Sequence, residues 1–325
     1  MYIENAYFGK SPKWLYIIPP LLFFGMSFLG AVAVFLMDID TETIMKAEIA
    51  RKGELPFLFE NLLIFVFLFL GMLFWIRFVS QQPLLKATTS RPKTDWKRIC
   101  FAFALWGGIT SVLVLADYLF FNPQDYMWNF EPIPFLWLTL MVIIMIPMQT
   151  SFEEYFFRGF LMQGLGIAVK NKWFPLIFTS VTFGLAHIAN PEISKLGYGL
   201  LAYYIGTGLF LGIITLMDEG LELALGFHAA NNLFTALLVT SDWTAFQTPS
   251  LLRDVAQPSL WANIFLPLLV FFPILLIIFA KKYHWHSWKQ KLTGKVLSEN
   301  EFLNKQNNNN NTISENERNR FQFRT

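Results

Sequence analysis

Apolar residues run through this chain in blocks of about twenty, separated by short polar links; an apolar stretch of roughly 18 residues or more reads as a membrane helix. Eight such blocks can be drawn: Leu15–Met37, Phe59–Ser80, Lys97–Phe121, Pro134–Met162, Trp173–Ala189, Tyr198–Met217, Leu221–Val239 and Trp261–Ala280. Hydrocarbon offers no hydrogen bonds, so each block must satisfy its own backbone as a helix. The pattern predicts an all-α fold, a polytopic transmembrane helical bundle of about eight helices. The fifth and seventh blocks are short, and Pro147 is expected to kink or break the fourth. No internal repeat is evident.

The blocks divide the chain. Residues 1–133 hold about three N-terminal helices and their loops. Residues 134–239 form a helical core, residues 240–297 a last membrane helix with a basic flank, and residues 298–325 an Asn-rich tail. The tail, with Asn307–Asn311 in a row, has too little apolar area to offset chain entropy and is expected to be disordered.

The positive links orient the bundle. Lys86, Arg91 and Lys93 lie between the second and third blocks, Lys170 and Lys172 between the fourth and fifth, and Lys281, Lys282, Lys289, Lys291 and Lys295 after the last. The link from Asn122 to Ile133 has no Lys or Arg. Both termini are expected on the cytoplasmic face, and the plasma (inner) membrane is the expected location. Lys46, Arg51 and Lys52 dissent, but they are mixed with five acidic residues in what reads as an amphipathic or extramembrane segment.

Composition then narrows the function. Of 325 residues, 54% are hydrophobic and 15% charged, too few charges for a soluble protein of this length. A net charge of +2 gives no electrostatic reason to expect nucleic acid. One cysteine, Cys100, excludes an internal disulfide and a zinc site built on several thiolates.

Against this background the ionisable residues stand out. Glu153, Glu154 and Arg158 interrupt the fourth block, and because charge is costly in a bilayer, ionisable groups there point to a functional site. Glu154 and Arg158, four apart on a helix, share a face and read as a structural ion pair. Glu153 points about 100° away and is left for chemistry. Two of the four histidines also fall inside blocks, in Phe183-Gly-Leu-Ala-His187 and His228-Ala-Ala-Asn-Asn232. The other two, His284 and His286, read as headgroup contacts. Taken singly, each has a plainer reading: an intramembrane His or Asn is often an interhelical hydrogen bonder, Phe183 is packing, and Asn231 is helix glue. Together, Glu153, His187, His228 and Asn232 form a plausible hydrolytic set. Glu153 is the general base, His228 helps hold or activate the water, and His187 and Asn232 donate to a developing oxyanion. A zinc reading instead uses Glu153, His187 and His228 as ligands with water in the open position. It is the less favoured alternative, because Asn is a poor zinc ligand and no His-Glu-x-x-His run exists.

Glu153-Glu154-x-x-x-Arg158, Phe183-x-x-x-His187 and His228-x-x-x-Asn232, in that order, resemble the three motifs of the CPBP (Abi) intramembrane proteases. That family includes the type II CAAX prenyl endopeptidases and bacteriocin-processing or self-immunity proteins. The resemblance covers about Pro147 to Phe234. It implies a peptidase, glutamate-type or metalloendopeptidase-like, acting on a membrane-embedded or lipidated peptide within the bilayer. It also implies Glu153 as base, His228 as its partner on water, and His187 with Asn232 on the oxyanion side. One departure is Met217-Asp218-Glu219-Gly220-Leu221-Glu222, where the family often carries a Thr-Gly-Ser loop; substrate access there is expected to differ. The rival readings are a non-catalytic immunity-like scaffold and a proton- or ion-coupled transporter. A geometric tension accompanies the set: with these borders, His187 falls near the outer end of its helix and His228 near the inner end of its own.

Overall fold

The computed structural model describes residues 1–37, 41–257, 259, 264–305 and 308. Its helices are α1 (Ile18–Leu36), α2 (Thr41–Lys52), α3 (Glu54–Phe74), α4 (Leu84–Thr88), α5 (Trp96–Ala116), α6 (Pro132–Glu154) and α7 (Met162–Val169). Then come α8 (Trp173–Leu185), α9 (Pro191–Leu196), α10 (Leu201–Asp218), α11 (Glu222–Leu238), α12 (Phe272–Lys282) and α13 (Trp288–Thr293). This is an all-α membrane bundle. Among the described residues, five helical stretches are long and apolar enough to cross a membrane: 13–34, 54–79, 96–121, 132–169 and 198–218. The other three expected blocks yield shorter helices, α8, α11 and α12. Residues 261–263, where the eighth block was expected to begin, lie outside the described residues.

Pro147 does not break its helix. α6 runs through it and continues by a π-helical turn, Tyr155–Leu161, into α7. A π turn inserts one residue per turn and often marks a functional site; this one begins directly after the Glu153–Glu154 pair. Large apolar side chains such as Leu21, Phe28, Phe120, Ile133 and Ile144 are exposed along α1, α6 and the end of the α5 stretch. Such a surface would be an aggregation liability in water and suits lipid.

Inside, α10 packs on α8 and α11 on α5, α6 and α10. Two glycines permit these crossings. A Cβ at Gly226 would lie 2.2 Å from the carbonyl oxygen of Ile99 on α5, and one at Gly208 would lie 2.8 Å from that of Ser180 on α8. Neither neighbour is a side chain that could turn aside. Phe157, Phe183, Phe210 and Phe227 fill the core between these helices.

Two features had no counterpart in the apolar pattern. β1 (Tyr126–Trp128), β2 (Val239–Thr240) and β3 (Leu252–Asp254) form a small sheet in the order β1-β3-β2, β3 antiparallel to β1 and parallel to β2. It caps the end of the bundle where α5 and α11 finish, so residues 240–257 are more than a lead into the last helix. At the other end, the 3-10 helix Ile3–Phe8 is buried rather than an exposed flank. Tyr2 donates its hydroxyl to the Ala87 carbonyl at 2.6 Å, and Tyr7 donates to the Leu297 carbonyl at 2.9 Å.

The tail boundary moves for the same reason. Residues 299–305 are helical and Phe302 is buried, its ring 6.0 Å from Tyr7 and 5.6 Å from Phe8. The apolar area of one phenylalanine anchors a segment expected to be disordered from residue 298. The rest of that stretch, 306–307 and 309–325, lies outside the described residues.

The Met217–Glu222 departure has a structural use. Asp218 and Glu222 pair with Arg91, at 2.9 and 3.1 Å, and Asp218 also pairs with Arg98. The Met1 amine lies 3.3 Å from Glu219. Burial raises the Glu219 carboxyl, but Met1 and Lys291 outweigh it and hold it below its ordinary value.

Candidate active site

α6 supplies Glu153 at its C-terminal turn, the segment just past α8 supplies His187, and α11 supplies His228 and Asn232. All four line one cavity of about 370 Å³. The tension between the histidines disappears because α8 ends at Leu185, four residues short of its expected border. His187 and His228 then both lie against one ring, 4.8 and 5.9 Å from the centroid of Phe183.

Glu154 and Arg158 sit behind the cavity, both fully buried. Arg158 donates Nη1–H to Glu154 Oε1 at 3.0 Å and Nη2–H to the Gly208 carbonyl at 3.0 Å. Its guanidinium also lies 4.5 Å from the centroid of the Phe183 ring, a cation–π contact. Glu154 does more than pair with Arg158, because its Oε1 is also 2.7 Å from His228 Nδ1. A carboxylate held by arginine accepts, so the His228 proton belongs on Nδ1 and a neutral ring turns the Nε2 lone pair into the cavity. There Nε2 lies 3.8 Å from Glu153 Oε2. That oxygen is buried and has no hydrogen-bond partner. A water about 2.8 Å from both atoms would see them about 85° apart, close to the angle between its own two O–H bonds.

The same logic assigns His187. Its Nδ1 is 2.7 Å from the Phe183 carbonyl, which can only accept, so the proton sits on Nδ1 and Nε2 is an acceptor in the neutral ring. Tyr204 stacks on His187 with centroids 4.4 Å apart, and Asn190 donates to the Tyr204 hydroxyl at 3.3 Å.

Gln149 was not among the candidates, yet it joins two of them. It donates from Nε2 to Glu153 Oε1 and accepts at Oε1 from Asn232 Nδ2 at 3.1 Å. A polar residue one helical turn before Glu153 in an apolar run was the signal available. Asn231 is also part of this network, accepting from Trp106 Nε1 at 3.0 Å and donating to Asn232 at 3.1 Å. Nothing local to Trp106 pointed to it.

For a metal, both imidazoles leave Nε2 unprotonated, one of the two ring nitrogens through which histidine can ligate. Among the described residues, however, no group of three or more His, Cys, Asp or Glu side chains is placed to hold an ion.

Residues 132–234, which carry Gln149, Glu153, Glu154, Arg158, His187, His228 and Asn232, match the Rce1-like family, described as type II CAAX prenyl endopeptidase Rce1-like. The resemblance read from the motifs holds over that segment, about a third of the chain. Among curated proteins, the uncharacterized protein YyaK of Bacillus subtilis (strain 168) is similar, 29% identical over 292 residues, which is 87% of this chain and 95% of that protein. No solved structure matches the chain.

Proposed function

We propose that this protein is an intramembrane endopeptidase that hydrolyses a peptide bond with a water activated by Glu153. One observation carries the reading: Glu153 Oε2 is buried, unpartnered and 3.8 Å from a histidine nitrogen whose own orientation is fixed from behind. An uncompensated acceptor of this kind is costly as structure and useful as a base.

In this scheme the water donates one O–H to Glu153 Oε2 and the other to His228 Nε2, leaving its lone pairs facing the scissile carbonyl. As the O–C bond forms, a proton passes to Glu153 and the carbonyl π pair moves onto oxygen. Asn232 has one Nδ2–H engaged by Gln149 and a second free for that oxyanion. His187 donates to it only as an imidazolium, since its Nδ1–H is committed to Phe183. Collapse breaks the C–N bond, and the proton held by Glu153 goes to the leaving amine. The Glu154–Arg158 pair is the support for His228, in the manner of the carboxylate that orients a catalytic histidine.

The substrate is membrane-associated, lipidated or carrying a leader, because the cavity is reached among apolar helices. The family description supports a prenylated peptide as the first substrate to try. The end carrying Met1, Lys86, Arg91, Lys170 and Lys291 is the cytoplasmic one in this reading, by the positive-inside rule.

The test is cleavage of a mixed set of lipidated and unlipidated membrane peptides by the purified protein in liposomes. Glu153→Ala and His228→Ala are run beside the wild type, each with and without chelator. Loss in both variants with activity kept under chelator is the expected result. Loss under chelator, restored by zinc, would replace it with a metal mechanism. Folded wild-type protein that cleaves nothing while retaining a bound partner would favour the scaffold, and proton-coupled uptake would favour the transporter.

A further inference from the structure

Four hydrogen bonds run in one direction through the site and end on the proposed base. Trp106 Nε1 donates to Asn231 Oδ1 at 3.0 Å, and Asn231 Nδ2 donates to Asn232 Oδ1 at 3.1 Å. Asn232 Nδ2 then donates to Gln149 Oε1 at 3.1 Å, and Gln149 Nε2 donates to Glu153 Oε1. Every amide in the run could in principle turn over, exchanging its donor and acceptor ends. The indole at its head cannot, because it has a donor and no acceptor. Asn231 must therefore show Trp106 its oxygen, and the direction of each later bond follows. Trp106 is on α5, Asn231 and Asn232 on α11, and Gln149 on α6, so the run crosses three helices.

Direction matters at the last link. Reversed, Gln149 would turn its carbonyl oxygen toward a carboxylate oxygen, a contact between two acceptors that is tolerable only with Glu153 protonated. A protonated Glu153 cannot take a proton from water. We infer that Gln149 is a positioning residue, its orientation set by Trp106 through Asn231 and Asn232, that holds Glu153 Oε1 as an acceptor and reserves Oε2 for the water. This rests on the assignment of Glu153 as base, and it adds a part of the site that the three motifs leave out.

Other charges around Glu153 stay in place when the run is cut. His228 faces it from α11, His187 from the segment after α8 and Tyr204 from α10, with Glu154 and Arg158 on its own helix. A change in its titration on cutting the run is thus attributable to the run.

The experiment uses the full chain in liposomes, as wild type, Gln149→Leu and Trp106→Phe, with Glu153→Gln as the blank. The first readout needs no substrate: an infrared pH titration of the protonated carboxyl band, with the Glu153→Gln spectrum subtracted. In Gln149→Leu the band should persist to higher pH by about one unit, the worth of one donor on a carboxylate. Trp106→Phe should move it the same way by less, since the amides then populate both directions. The acid limb of the pH–rate profile should follow the band in each variant. The inference is overturned if both variants titrate as wild type, or if activity falls equally at every pH, as a packing defect would produce. The two readings also separate. A shifted band in a protein that cleaves no peptide sinks the proposed hydrolysis and keeps the directed run. Cleavage with an unmoved band does the reverse.

Discussion

Glu222 and His228 lie on the same helix, about 9 Å apart along its axis, and each belongs to a cluster of buried charge. In the first cluster, Asp218 and Glu222 meet Arg91 and Arg98. All four carboxylate oxygens have partners: Arg98 and Trp285 on one, Arg91 on two more, and the Asp95 backbone N–H on the last. In the second cluster, Glu153 and Glu154 meet Arg158 and His228, and two of the four carboxylate oxygens, together with Arg158 Nε, have no partner. The composition is nearly the same, and the degree of completion differs. A cluster whose hydrogen bonds are all made is a fastener. One left open, in a cavity, keeps capacity for a molecule that comes and goes.

That contrast can be broken from its active side first. Glu153→Gln should cost about 10³-fold or more in turnover, within the range for losing a general base, while leaving the thermal transition near that of wild type. A large drop in melting temperature would show that Glu153 is a fastener too. Arg158→Leu should act mainly on stability, by about 3–5 kcal/mol, since it strands a buried carboxylate; denaturation in mixed micelles would read it. Asp218→Asn, in the completed cluster, should cost roughly 1–3 kcal/mol of stability and leave turnover per folded molecule unchanged. If turnover fell instead, the two clusters would be coupled.

A smaller effect sharpens the comparison by pH. The folded Glu219 carboxyl lies below its ordinary value of 4.5, so its link to Met1 contributes fully above that pH. The contribution fades as pH falls through the lowered value. Thermal melts between pH 6 and 3 should therefore converge for wild type and Glu219→Gln at the acid end. Smallest of all, Arg51→Ala on the exposed face of α2 should change nothing measurable, although Arg51 lies 2.6 Å from Glu48.

What the chain discloses about itself follows the range of the interactions. Membrane helices are local patterns, and the blocks from Leu15 to Val239 correspond to helices with borders shifted by a few residues. The motif residues were legible because Glu153–Glu154–Arg158, Phe183–His187 and His228–Asn232 are each spaced one turn apart, and the structure gathers all of them at or behind one cavity. Gln149 obeyed the same spacing relative to Glu153 and could have been read. Trp106, Tyr204 and the small sheet could not, since each acts through a partner more than ten residues away with no mark in its own neighbourhood. Phe302 shows the limit from the other side: in an Asn-rich context a single aromatic carries no periodicity, and only the Tyr7–Phe8 surface gives it somewhere to go.

The bond from Tyr7 to Leu297 joins positions 290 residues apart. At a translation rate of about 5–20 residues per second, the start of the chain is made roughly 15–60 s before its partner exists. During that interval Tyr2 can already meet Ala87 and Ile3 can pack at Gly166, but the Tyr7 hydroxyl lacks the carbonyl it donates to. Closure of this end thus comes after the site's own helices have been made, and a ribosome that stops before residue 297 leaves behind a bundle with its site present and its clasp undone.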